Sequence, residues 1–315
     1  MALRDRAPYV AYRSAATVAQ LMPGPMASVA ARGVGVAFAQ AMRGRRSTVA
    51  SHLRRIHGPH LTGAALEQEV QRAFDSYARY WMEAFRLPSM SRAEIDAGLS
   101  YVGLNHVRRG VALGRGVIMA LPHMGNWDFG GAWLALQGFD VAAVAEVLEP
   151  PELFEWFVSY RRRLNMEIIP LGPSAGADVL RSLRAGKVVG LISDRDLTGG
   201  GVPVELFGET TTLPGGPATL ALRTGAPLLP AAIYMEPHGH HHGVVRPPIP
   251  IERTGRLRDD VVRVTQLLAR ELEELIRRAP EQWHNFQPTW PSDPGYTGRS
   301  SVDGDQGVGE TGDRG

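Results

Sequence analysis

Cysteine is absent from the 315 residues. That excludes disulfides, thiolate metal sites and a cysteine nucleophile. Lysine is nearly absent too: of 34 lysines and arginines, only Lys187 is a lysine. Long hydrophobic runs are missing. The longest weakly polar window, residues 27–42, is interrupted by Arg32 and rich in Gly and Ala, and it falls short of the roughly 18–20 apolar residues that a spanning helix needs. An early apolar core is missing as well, because Arg4, Asp5, Arg6 and Arg13 break up the start; no secretory leader is expected. What remains is ordinary globular material, 44% hydrophobic and 21% charged, long enough to bury a sizeable core in one large domain or two.

Acids are scarce at one end and basic residues at the other. Residues 1–60 hold nine arginines against Asp5 alone, a balance of +8, whereas residues 291–315 hold five acids against two arginines, a balance of −3. A basic arm interleaved with apolar residues suits an anionic membrane surface, where each nearby arginine contributes about 1 kcal/mol. Nucleic acid is the other common polyanion, but the arm carries no zinc-finger, helix-turn-helix or RNA-binding signature, so no nucleic-acid partner is expected.

The periodicity predicts helices over 8–22 and 26–43, split at Pro23-Gly24-Pro25, then an arginine-rich segment over 45–58. A helix over 64–87 carries an aromatic stripe of Phe74, Tyr77, Tyr80, Trp81 and Phe85, read as core. Beyond residue 100, strand-like runs at 117–121, 140–145, 167–171, 188–193 and 228–234 alternate with helix-like patterns at 126–138, 151–165, 175–185, 215–224 and 257–279. Such alternation predicts an α/β fold with a central, mostly parallel sheet flanked by helices, preceded by a helical membrane-contacting extension. Three parts are expected: a basic membrane-associating segment over 1–60, an α/β domain over 61–290, and a disordered polar tail over 291–315.

The chemistry concentrates in Val117-Ile-Met-Ala-Leu-Pro-His-Met-Gly-Asn-Trp-Asp-Phe-Gly-Gly131. A buried strand is stopped by Pro122, and Gly125-Asn126 can open a helix. His123 and Asp128 flank that junction. A turn there can fold the carboxylate of Asp128 onto the imidazole of His123, fixing its tautomer and making it a general base for a hydroxyl. Catalytic sites in parallel sheets lie beyond the strand carboxyl ends, where His123 sits.

His-x4-Asp with Gly-Asn-Trp inside it resembles the signature of the bacterial lipid A and phosphatidylinositol mannoside acyltransferase superfamily. Further segments in the family's order are Phe207-Gly208 before a threonine-rich link and Pro214-Gly-Gly, and Pro280-Glu-Gln-Trp283 after the last long helix. The resemblance runs from about residue 45 to 290. Weak N-terminal hydrophobicity departs from the family pattern and argues against an integral anchor.

The resemblance implies transfer of a long fatty acyl chain from a thioester donor to a hydroxyl of a glycolipid. Acyl-CoA is the expected co-substrate, with acyl carrier protein as the alternative, and no metal or redox cofactor is expected. His123 and Asp128 would be catalytic, with backbone N–H groups near Gly125 and Asn126 stabilising the oxyanion. Arg195 could contact a phosphate, held by Asp194 or Asp196, or could simply close a loop. Glu146 could accept from a sugar hydroxyl and Arg161 could meet phosphate or close the acyl site, although both also suit a solvated helix terminus. Gly215 and Gly216, at a helix start, could hold donor phosphate or be a plain N-terminus. His238, His240, His241 and His242 are the only metal-like cluster; they are expected in a Gly-flanked turn, without the rigid frame that zinc sites use. The expected location is the cytoplasmic face of the plasma membrane, as a peripheral protein. Within the family the resemblance implies a mannose hydroxyl of a phosphatidylinositol mannoside as acceptor, with a late acyltransferase of lipid A as the alternative. Two rivals from other classes are a lipid-binding protein without turnover and a metal hydrolase built on the histidines.

Overall fold

A computed structural model describes residues 7–22, 24–197 and 199–297. Three helices open the chain: α1 (Ala7–Leu21), α2 (Gly24–Ala41) and α3 (Arg43–His57). All three pack on a longer one, α4 (Gly63–Arg86). Helix α4 forms because Leu66, Val70, Ala73, Phe74, Tyr80 and Ala84 recur at helical spacing and are buried. The arginine-rich segment is itself helical, with Thr48, Val49, His52 and Leu53 as its buried stripe.

Next come α5 (Arg92–Ala97), β1 (Leu99–Val102) and α6 (Leu104–Ala112), three elements whose shortness hid them from periodicity. Ser91 and Glu94 form a capping box at the start of α5, a local signal that was available in the sequence. The alternating part then runs β2 (Val117–Leu121), α7 (Trp127–Leu136), β3 (Val141–Ala145), α8 (Pro151–Arg163), β4 (Met166–Pro170), α9 (Ala175–Arg184) and β5 (Val188–Ile192). A hairpin of β6 (Val202–Leu206) and β7 (Glu209–Leu213) follows, then α10 (Gly216–Thr224), β8 (Leu228–Met235), β9 (His241–Val245) and α11 (Leu257–Arg277).

Seven strands form one sheet in the order β1-β9-β8-β2-β5-β3-β4. All neighbours are parallel except β8 and β9, which are antiparallel. The mostly parallel α/β architecture predicted above is what forms. Strands covered on both faces read as continuous apolar runs, and β8 is buried along its whole length. One face packs on α9, α10 and α11 through Val179, Leu183, Ala221, Leu268 and Leu272. The other packs on α7 and α8 through Phe129, Trp133 and Tyr160.

The histidine cluster departs from the expected turn. His238 and His240 lie in the bend, but His241 and His242 belong to β9. A strand forms there because residues 241–245 pair with β8 on one side and β1 on the other, and Gly243 leaves room for Tyr101, whose ring a Cβ would meet at 2.7 Å. The ordered chain also passes residue 290, since Asp293 is buried. The remainder of the expected tail, from residue 298, lies outside the described residues, as do residues 1–6.

Candidate active site

The junction between β2 and α7 is fixed almost entirely by backbone contacts. Gly125 has φ +55°, and a Cβ on it would lie 1.9 Å from the Ile233 carbonyl oxygen. Only glycine allows that approach. The Asn126 N–H donates to the Ile233 carbonyl (3.2 Å) and the Gly125 N–H to the Gln282 carbonyl (3.0 Å). These two N–H groups, expected to stabilise an oxyanion, are therefore already committed. Asn126 instead caps α7, its Oδ1 accepting from the Phe129 N–H at 3.0 Å. Its Nδ2 donates to Glu83 at 3.1 Å.

His123 leaves the carboxyl end of β2 beside the end of β5. The two strands are parallel neighbours with Leu121 opposite Ile192. Two residues further along each strand stand His123 and Asp194. The His123 Nδ1 lies 2.7 Å from Asp194 Oδ1, and the His123 N–H donates to Asp194 Oδ2 at 3.0 Å. Asp194 Oδ2 also accepts from the Trp283 indole N–H at 2.6 Å. Burial opposes the charge on Asp194, yet His123 and Trp283 together hold its carboxyl below the usual range. An ionised carboxylate accepts only, so Nδ1 carries a proton, and in the neutral ring the lone pair is then on Nε2. The His123 side chain is 21% exposed and that of Asp194 1%.

The expected contact between Asp128 and His123 is not the one that forms. Asp128 is buried in the first turn of α7, where Oδ1 accepts from Arg161 Nε (2.8 Å) and Oδ2 from Arg161 Nη2 (3.3 Å) and Tyr80 Oη (3.0 Å). A bidentate arginine and a phenol occupy both oxygens. They tie α7 to α8 and α4. Arg161 thus spends Nε and Nη2 on Asp128; burial works against its charge, but Asp128 beside it more than offsets this and holds the proton more tightly.

The loop after β5 distributes its charges differently from expectation. Asp194 holds His123. Asp196 braces the loop, accepting from the N–H groups of Gly199 (3.0 Å) and Gly201 (2.7 Å) and from Thr212 Oγ1 (3.2 Å). Neither holds Arg195, which pairs with Glu146 at 3.2 Å, bringing those two candidates together. The Nε of Arg195 is buried with no hydrogen-bond partner. Gly215 has a packing reason: a Cβ there would come within 2.8 Å of Val202 and 3.3 Å of Val261. Gly216 opens α10 with space around it.

The histidines of β9 diverge. His241 Nε2 reaches Glu83 at 2.9 Å and its ring stacks on Phe129, while His242 Nδ1 meets Ser100 at 2.8 Å. Among the described residues no three His, Cys, Asp or Glu side chains converge as a metal site would. Sequence reasoning does not single out His284. It is buried beside the junction, its Nε2 2.9 Å from Ser76 Oγ, and its N–H donates to the His123 carbonyl at 2.7 Å. Burial, and then the proximity of His123, push its imidazole down to about 3.

The chain has relatives. The family model for bacterial lipid A biosynthesis acyltransferases matches residues 7–292. A phosphatidylinositol mannoside acyltransferase of Mycobacterium tuberculosis is 40% identical over 235 residues, covering 73% of this chain and 72% of that one. Its counterpart from Mycolicibacterium smegmatis is 39% identical over 227 residues, 71% and 73% of the two chains. A lipid A biosynthesis acyltransferase of Haemophilus influenzae is 24% identical over 229 residues, 71% and 69% of the two chains.

Proposed function

The chain belongs to the bacterial lipid A biosynthesis acyltransferase family, and we propose that it moves a long, palmitoyl-like acyl chain from acyl-CoA to a sugar hydroxyl of a phosphatidylinositol mannoside. The observation that carries the mechanism is the orientation of His123. Asp194 takes Nδ1–H and leaves Nε2 without a hydrogen bond among the described residues, on a side chain that is 21% exposed.

In this reading Nε2 removes the proton of the acceptor hydroxyl as its oxygen attacks the thioester carbonyl. The tetrahedral intermediate collapses, the C–S bond breaks, and the departing thiolate takes the proton back from the imidazolium. Without cysteine the transfer is either direct or by way of a hydroxyl nucleophile; in this reading the acyl group passes directly to the acceptor. Asp194 orients the ring and balances the charge that develops on it. Asp128 acts one step back, holding the first turn of α7 in place. Arg195, with Glu146 on one side of its guanidinium and Nε unmatched, is the group we assign to a phosphate of the donor or acceptor.

The acceptor follows the two mycobacterial relatives. We place the enzyme at the cytoplasmic face of the plasma membrane as a peripheral protein. No described helix is long and apolar enough to cross a bilayer, and exposed apolar side chains on α1 and α2 (Val10, Val18, Leu21, Met26, Val29) accompany the basic arm.

The test is transfer of radiolabelled palmitate from palmitoyl-CoA to a phosphatidylinositol mannoside and, in parallel, to a lipid A precursor. Turnover on the mannoside, lost in His123→Ala, is the expected result. Preference for the lipid A precursor would reassign the acceptor, and liposome binding without turnover would make the chain a lipid-binding protein.

A further inference from the structure

Two buried groups have no part in the mechanism so far, Trp283 and His52. Trp283 donates its indole N–H to Asp194 Oδ2 at 2.6 Å, the same oxygen that accepts the His123 N–H. Those two donors saturate one edge of the carboxylate and turn the other, Oδ1, towards His123 Nδ1. The direction in which the catalytic pair points is therefore set in part by where Trp283 lies.

Trp283 is itself held by its ring. The imidazole of His52, from α3, stacks on it with centroids 5.1 Å apart and planes 30° apart. His52 is 2% exposed. Its Nδ1 is 3.1 Å from the Asn285 carbonyl and its Nε2 is 2.9 Å from Asp293 Oδ2. Both partners are acceptors, because Asp293 already receives the N–H groups of Thr289 (2.8 Å) and Trp290 (3.0 Å), the Ser51 hydroxyl (2.8 Å) and Arg55 (3.2 Å). Each ring nitrogen thus faces an acceptor, so the imidazole is pinned at both ends. A ring pinned in this way and stacked on the indole face restricts where the Trp283 N–H can point, and so keeps it aimed at Asp194.

We infer that Trp283 is a positioning residue for the His123–Asp194 pair, and that His52, clamped by Asp293 and Asn285, fixes Trp283 in that role. The inference rests on the His123–Asp194 reading proposed above. It extends the machinery from the ends of β2 and β5 to α3, in the basic N-terminal part of the chain.

Trp283→Phe keeps an aromatic ring against His52 and removes the N–H, together with part of the indole's volume, for which the core variant below is the control. A hydrogen bond to a charged group lost in this way predicts a fall in kcat of roughly tenfold or more, with KM for either substrate little changed. Without the indole donor, Asp194 holds more of its charge for the imidazolium, so the acid limb of the kcat profile moves to higher pH. His52→Gln should shift that limb in the same direction but less, and the double variant should lose less than the two single losses combined. If Trp283→Phe leaves the pH profile in place, or if the losses simply add, Trp283 and His52 are packing residues and the inference fails. A second readout is independent of turnover: the imidazole 15N and Nδ1–H resonances of His123, assigned with His123→Ala. These should move in Trp283→Phe and hold still in a distant core variant such as Leu268→Ala. Wild-type protein that shows no acyl transfer but has this NMR response would retain the positioning chain and overturn the proposed reaction. Transfer with unmoved resonances would do the reverse.

Discussion

His123 and Asp194, 71 residues apart in sequence, meet twice, through Nδ1 to Oδ1 at 2.7 Å and through the His123 N–H to Oδ2 at 3.0 Å. The double contact fixes both the plane and the position of the carboxylate relative to the ring. Asp128, five residues from His123, spends both its oxygens on Arg161 and Tyr80. The two aspartates therefore have separable roles.

Asp194→Asn should lower kcat by about 10²- to 10⁴-fold, because an amide offers no charge to the imidazolium and can select the wrong tautomer. Its unfolding midpoint should change less than that of Asp128→Asn. Single-turnover kinetics and thermal melts on both variants check this. A larger kcat loss in Asp128→Asn than in Asp194→Asn, at equal fold integrity, would restore the His-x4-Asp pairing as the catalytic one.

Breaking the buried Asp128–Arg161 pair from one side should be costly. Arg161→Met leaves Asp128 with the neutral Tyr80 hydroxyl as its remaining side-chain partner among the bonds described, and loss of one partner of a buried pair costs about 3–5 kcal/mol. Urea unfolding of Arg161→Met against the double variant Arg161→Met/Asp128→Leu checks it. The double variant should recover part of the loss, since no uncompensated charge stays buried.

Stability should fall on mild acidification, and His284 supplies the cause. Burial first, then the nearby His123, hold its folded pKa at about 3 against 6.5 for the free side chain. The unfolded chain binds that proton below pH 6.5 and the folded chain does not. Its contribution is thus fully present above pH 6.5 and is lost as pH drops towards 3, at up to about 1.4 kcal/mol per pH unit. Asp194 and Asp293, whose carboxyls are held low, act only further down. Urea midpoints from pH 7.5 to 4.5 should show this slope in wild type and a flatter one in His284→Phe.

Membrane attachment should depend on the exposed arginines of the N-terminal helices and weaken with salt. Arg55 is committed to Glu209 and Asp293, and Arg46 to Glu67. The exposed Arg32, Arg43 and Arg54 are the ones to neutralise. Screening over about 10 Å at 0.1 M salt predicts weaker co-sedimentation with anionic vesicles at high salt and in the triple glutamine variant. Equal binding to neutral and anionic vesicles, unmoved by either change, would give the arm another role.

The sequence by itself determined those features whose physics is local. The apolar runs of β2, β3, β5 and β8 and the helical spacing of α4 and α11 were legible because burial writes a period into neighbouring residues. His123 was legible for a related reason: Pro122, Gly125 and Asn126 mark a strand-to-helix junction whatever surrounds it. Strand β9 was not, because its histidines and glycine carry no strand propensity and are held by Tyr101, Glu83 and Ser100 from elsewhere. The partner of His123 was out of reach for the same reason. Nearness in sequence favoured Asp128, but helix geometry turns that carboxylate towards α4 and α8. Only the parallel register of β2 with β5 brings Asp194 alongside His123, and only the return of the chain after α11 sets Trp283 against it. Spacing of five residues constrains where a side chain can reach; which carboxylate it meets is decided by strands that pair across 71 residues, and by the burial that makes each unpaired charge too costly to leave.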